Sequence, residues 1–144
     1  MINIYIITPF PDLIDAITKN SILGRATKKE IVLFKILNLF DFADPPHHKI
    51  DDYPFGGGKG MILKPEPIFR AIESIKKNSL NEDFRIVFPT PDGKLFNQQK
   101  AIELSANENI IFICGHYKGI DDRIRQQLIT DEISIGDYIV TGGE

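Results

Sequence analysis

Apolar, β-branched runs alternate along this chain with segments whose apolar residues recur every three or four positions, and that alternation leaves few folds open. Residues 2–7 and 110–114 are near-continuous apolar runs, the mark of strands buried on both faces. Residues 31–40 and 84–88 read as further strands, the latter halted by Pro89 and Pro91, and residues 133–135 as a short last one. Between them Leu13, Ile14 and Ile17 fall at helical spacing, as do Ile68, Phe69, Ile72 and Ile75. Asn97 is placed to cap a helix carrying Ala101, Ile102 and Leu104, and Asp121 one carrying Ile124 and Leu128. Helices between apolar strands imply an α/β fold with a mostly parallel sheet and flanking helices on both faces. Residues 41–60, with Pro45, Pro46, Pro54 and four glycines, read as a long loop. With 144 residues and no internal repeat or linker, a single domain is expected.

The formal net charge of -3 argues against nucleic-acid binding by bulk electrostatics alone, leaving a local basic patch or a further domain to carry positive charge. The adjacent pairs Lys28-Lys29 and Lys76-Lys77 read as solvated surface. The single cysteine, Cys114, ends an apolar run and reads as a small buried hydrophobe; a reducing cytoplasm fits it. Met1-Ile2-Asn3 lacks a basic signal-peptide start, and no apolar run approaches the roughly 18 residues of a membrane span, so no membrane association is expected.

In open α/β sheets ligands bind outside the carboxyl ends of the strands. Three such ends carry unusual loops here. Pro89-Thr90-Pro91-Asp92-Gly93 follows Phe88, Gly115-His116-Tyr117-Lys118-Gly119 follows Cys114, and Gly136-Asp137-Tyr138 then Thr141-Gly142-Gly143 follow Ile135. Each alone reads as an ordinary turn. Together, if their strands are neighbours, they suggest a small planar ligand held largely by main-chain groups. The chain has no Walker-type phosphate loop and no dinucleotide fingerprint after the first strand. The run Gly56-Gly57-Gly58-Lys59-Gly60 reads as a flexible tip or as a backbone platform for a flat ligand. His47-His48 with Asp51-Asp52 reads as a solvated loop, since adjacent histidines make poor co-ligands. His116 stands alone as a weak candidate base, and Asp121-Asp122-Arg123 as a helix start with a local ion pair.

Five motifs come in a fixed order. They are Pro9-Phe10-Pro11; Ser21-Ile22-Leu23-Gly24-Arg25-Ala26; Asp51-Asp52-Tyr53-Pro54-Phe55-Gly56-Gly57-Gly58-Lys59-Gly60-Met61; Ile113 through Arg123; and Glu132 through Glu144. This set resembles the bacterial TrmD family, the tRNA (guanine-N1)-methyltransferases, over essentially the whole chain. The resemblance implies a SPOUT-type domain with a trefoil knot in its C-terminal half. It also implies S-adenosyl-L-methionine as methyl donor, guanosine-37 of tRNA as acceptor, magnesium for activity, and a cytoplasmic homodimer whose active sites lie at the subunit interface.

Carried over position by position, the resemblance gives Phe88, Pro89, Thr90 and Pro91 one side of the adenosine, and Gly115, His116, Tyr117 and Gly119 the floor. Ile135, Gly136, Asp137, Tyr138, Ile139, Val140, Gly142 and Gly143 would close around adenine and ribose. Arg25, Asp51, Gly56, Gly57, Gly58 and Lys118 would face the tRNA or the partner subunit. Lys118 stands where the family usually carries an acid near the methionine part of the donor, and a lysine there could instead meet an RNA phosphate. The family continues past the position of Glu144 into a helix, a connector and a helical tRNA-binding domain; the connector holds the aspartate and arginine expected to do the acid–base work. No catalytic residue is therefore expected within residues 1–144, and this piece is expected to bind the donor but to transfer methyl poorly. A non-catalytic RNA-binding domain of the same fold, and a nucleotide-dependent α/β enzyme of another type, remain alternatives at this point.

Overall fold

A computed structural model describes residues 1–81 and 83–144. Five strands form one sheet: β1 (Ile2–Thr8), β2 (Val32–Asn38), β5 (Arg85–Leu95), β6 (Asn109–Ile113) and β7 (Asp131–Ser134). Their order is β2-β1-β6-β5-β7 and every pairing is parallel. A two-stranded antiparallel ribbon, β3 (Asp51–Asp52) with β4 (Ile62–Leu63), stands apart.

The side chains of each strand divide between the two sheet faces. Tyr5 and Ile7 of β1, Ile111 and Ile113 of β6, and Ile86 and Phe88 of β5 are buried in the main core. They meet Ile68, Ala71, Ile72 and Ile75 from α3 (Pro65–Lys77), Ile124 from α5 (Asp122–Gln127), and Leu39 from a 3-10 turn at Leu39–Phe42. On the opposite face Ile6 packs with Ile14 of α1 (Pro11–Thr18) and with Cys114. Val87, Ile110 and Ile133 pack there with Leu104 of α4 (Gln98–Ser105). Both faces are thus built from apolar residues, which is why β1 and β6 read as continuous runs rather than alternating ones.

Helix starts follow their local chemistry. Pro11 and Pro65 occupy first-turn positions, where no backbone donor is needed. The Asn97 side chain accepts from Lys100 N at 2.9 Å, and the Asp121 side chain from Arg123 N at 2.9 Å, as their capping positions predict. Lys28, Lys29, Lys76 and Lys77 are exposed at helix ends.

Three expectations need correction. Strand β5 does not stop at Pro89: it resumes to Leu95, with Pro89 and Lys94 both opposite Ile133. The residues between them bulge out of the ladder, so Pro91 falls where no strand hydrogen bond is required. Residues 21–28 form a helix, α2 (Ser21–Lys28), that the pattern did not announce. The stretch 31–40 ends as a strand at Asn38, whose side chain accepts from Phe40 N at 3.1 Å and turns the chain into the 3-10 segment; the loop of 41–60 is thereby shortened, and β3 interrupts it.

Candidate functional site

The order β6-β5-β7 makes the three strands with unusual loops neighbours, and all run the same way. The bulge inside β5 therefore lies beside the carboxyl ends of β6 and β7. Residues from all three loops line one cavity of about 1240 Å³. Of the residues assigned to the donor, Phe88 to Pro91, Gly115, His116, Tyr117, Gly119, Ile135, Gly136, Tyr138 to Val140, Gly142 and Gly143 line it; Asp137 does not. The cavity is wider than the loops alone suggest. It continues over the sheet face between α1 and α4, along Ile2, Ile4, Ile6, Ile110 and Phe112.

The walls are pressed together where glycines allow it. A Cβ built on Gly115 would stand 2.8 Å from the Phe88 ring, and one on Gly143 would stand 2.9 Å from both Cys114 Cα and Gly115 N. Gly143 N donates to Gly115 O at 3.0 Å, joining the tail after β7 to the loop after β6. Only a residue without a side chain permits that approach. Tyr117 adopts φ 59°, a left-handed conformation uncommon outside glycine and concentrated at functional sites.

The floor loop is anchored from below. Lys118 N donates to Met61 O at 3.1 Å, Leu63 N to Gly119 O at 3.0 Å, and Asp121 N to Leu63 O at 3.2 Å. These bonds fasten the floor to β4 and to Met61 just before it. Partial burial, with the Asp51 carboxylate beside it, pushes the Tyr117 phenol above its ordinary value. The Lys118 side chain runs along Gly60, its Cε 2.9 Å from where a Cβ would sit, with Nζ 3.7 Å from the same point on Gly58. Thus Lys118 lines the cavity. Asp51 and the loop at 56–60 lie outside the lining but touch its floor through Tyr117 and Lys118. Arg25 is exposed on α2 and is not among the lining residues.

Two polar residues of the site, Arg125 and Glu144, were not assigned from the sequence. Arg125 lines the cavity, stacks 5.7 Å from the Phe88 ring centre and forms a two-pronged pair with Glu132 at 2.8 and 2.9 Å. Glu144 binds Thr8 and His116, each at 2.8 Å. The His116 ring also packs on Phe10, centroid to centroid 4.8 Å. Nothing in linear spacing announces these contacts, since Thr8 and Glu144 stand 136 positions apart. Cys114 is buried, as expected; burial, with the charge of Glu144 nearby, pushes its thiol up to about 12. His47 and His48 are exposed, and among the described residues no group of three or more His, Cys, Asp or Glu could hold a metal ion.

The sequence and the fold both recur in known proteins. A family model described as tRNA (Guanine-1)-methyltransferase TrmD matches residues 2–144. The tRNA (guanine-N(1)-)-methyltransferase of Staphylococcus carnosus (strain TM300) is 50% identical over 138 residues, covering 96% of this chain and 55% of that protein. The enzyme of the same name from Anoxybacillus flavithermus (strain DSM 21510 / WK1) is 50% identical over 139 residues, covering 96% of this chain and 56% of that protein. The chain thus spans little more than half the length of these relatives. The crystal structure of tRNA (m1G37) methyltransferase from Aquifex aeolicus superimposes with a TM-score of 0.89 at 37% identity, covering 99% of this chain and 63% of that one. Sequence and fold agree along nearly all of the chain, and it belongs to the tRNA (guanine-1)-methyltransferase TrmD family.

Proposed function

We propose that residues 1–144 form the S-adenosylmethionine-binding domain of a tRNA methyltransferase that modifies N1 of guanosine-37, beside the anticodon. The observation that carries this reading is the cavity onto which the bulge in β5 and the glycine-containing loops after β6 and β7 converge. Its walls suit an adenosyl compound. Apolar side chains and close-packed glycines offer flat surfaces and exposed peptide groups, and no phosphate-binding loop competes. Phe88 to Pro91 would hold one side of the adenosine, Gly115 to Gly119 the floor, and residues 135–143 the cover.

When bound, S-adenosylmethionine supplies an electrophilic methyl group. The chain's own part is to fix the donor and keep water away from it, since alignment of nucleophile and methyl is a large share of such a rate enhancement. Lys118 lines the cavity, has no carboxylate partner among the described residues and carries its ammonium beside Gly58, where an RNA phosphate would complement it. Guanine N1 carries a proton at neutral pH, and a positioned base contributes roughly 10²–10⁴ in rate. That base and its assisting arginine belong, in this proposal, to the part of the protein after position 144. Residues 1–144 alone would then bind donor and transfer methyl poorly.

The whole enzyme is a cytoplasmic homodimer in this proposal, each site completed by the partner subunit. Ile139 at 86% exposure, with Tyr138 and Val140 beside it, supports a covering partner at the cavity. Among the described residues no helix is long and apolar enough to cross a membrane. The path of the tail supports the trefoil knot. After β7 it crosses the end of β6, where Gly143 meets Gly115, and reaches β1 at Thr8. Magnesium enters through the family likeness alone; the described residues offer no cluster for it, and no step is assigned to it.

Calorimetric titration with S-adenosylmethionine tests the central reading: a saturable heat is expected, and no heat at millimolar donor overturns it. Methylation of tRNA transcripts with guanosine or adenosine at position 37 tests the acceptor, and only the first should be modified by the whole enzyme.

A further inference from the structure

We propose that Glu144 is a positioning residue: its carboxylate latches the tail after β7 onto β1 and the floor loop, and so holds the cover of the donor pocket. This rests on the reading of the cavity as a donor site. The Glu144 side chain is only 8% exposed, and its two oxygens are both engaged. One accepts from the Thr8 hydroxyl at 2.8 Å; the other meets His116 Nε2 at 2.8 Å. Thr8 is fully buried at the end of β1, and its hydroxyl oxygen also accepts from Phe10 N at 2.9 Å. A single carboxylate therefore ties three segments that are remote in sequence.

A buried carboxylate is costly unless its oxygens are hydrogen-bonded. Among the described residues no lysine or arginine pairs with Glu144, so the imidazole and the hydroxyl are what hold it. The bond also fixes chemistry at His116. An ionised carboxylate only accepts hydrogen bonds, and in the latch proposed here His116 Nε2 is the donor to it. The tail leaves room for this contact: a Cβ on Gly142 would stand 2.5 Å from His116 Nε2. The next residue, Gly143, makes the bond to Gly115 that closes the cover on the floor. Releasing the carboxylate would release the two glycines that precede it.

The test compares the wild-type protein with Glu144→Ala, Glu144→Gln and Thr8→Val. Donor affinity is read by calorimetry with S-adenosylmethionine and S-adenosylhomocysteine. Amide exchange at Gly143 and the ¹⁵N shifts of His116 are read without ligand. Glu144→Ala is expected to weaken donor binding roughly tenfold or more, the scale of a lost charge-assisted bond. Glu144→Gln keeps groups able to satisfy Thr8 and His116 and is expected to stay within about threefold. Thr8→Val should fall between them. Gly143 exchange should quicken in the alanine variant and not in the glutamine one, and wild-type His116 should show its proton on Nε2. Unchanged affinity and unchanged Gly143 exchange in Glu144→Ala overturn the proposal. So does a wild-type His116 unprotonated at Nε2, a measurement that needs no variant to fold. A wild-type protein that binds neither adenosyl compound, yet shows the Nε2 proton and a protected Gly143, refutes the donor reading and leaves the latch intact.

Discussion

Gly143 donates its amide to the carbonyl of Gly115 across 3.0 Å, and neither residue has a side chain to hold them apart. That bond brings the tail after β7 against the floor after β6, and the cavity owes its closed side to it. Its consequences reach stability and binding together.

Replacing Gly143 by alanine puts a methyl 2.9 Å from Cys114 Cα and Gly115 N, both main-chain atoms that cannot swing aside. The tail must lift. A loss of about 1–3 kcal/mol in stability is expected, as for other overpacked sites, together with donor affinity weakened at least tenfold. Chemical denaturation and calorimetry on the same sample check both effects.

The far end of the same strands is held by charge. Burial pushes the Asp131 carboxyl up, but hydrogen bonds from Arg85 at 2.5 Å, Lys100 at 2.6 Å and Thr130 outweigh it and hold the group well below the usual carboxylate range. A carboxylate with a depressed folded value adds stability that is complete above its unfolded value, about 3.9, and fades as pH falls toward the folded one. Unfolding midpoints should therefore drop steeply below about pH 4 in the wild type. In Asp131→Asn much of that slope should vanish, and stability at neutral pH should fall by about 2–3 kcal/mol, discounted from a fully buried pair because Arg85 remains 28% exposed.

Cys114 offers a probe of the cavity wall. With its thiol pushed up to about 12, its thiolate fraction at neutral pH is on the order of a thousandfold below that of a free cysteine. Labelling by a thiol reagent should be slow in the folded protein and become rapid in denaturant. Fast labelling under native conditions would mean that the wall opens readily.

The sequence displayed the five strands of the main sheet, the caps and the three loops because these are written locally. Asn97 and Asp121 sit where a cap belongs, and Ile110 to Ile113 have no polar residue to soften the strand pattern. Helix α2 was hidden by Gly24, poor in helices, although a Cβ there would collide with the Lys19 carbonyl. Pro89 and Pro91 spoke for a strand end, yet the ladder bulges around them and resumes. The site's residues were legible only as separate loops. Their meeting depends on the order β6-β5-β7, which no local pattern encodes, and the roles of Arg125 and Glu144 depend on partners supplied by that order.

A crystal structure of the protein soaked with S-adenosylhomocysteine tests the account most directly. It should show the adenine and ribose enclosed by residues 88–91, 115–119 and 135–143, with the Gly143–Gly115 bond intact. A ligand seated elsewhere, or an adenosyl group touching only one of the three loops, would contradict it.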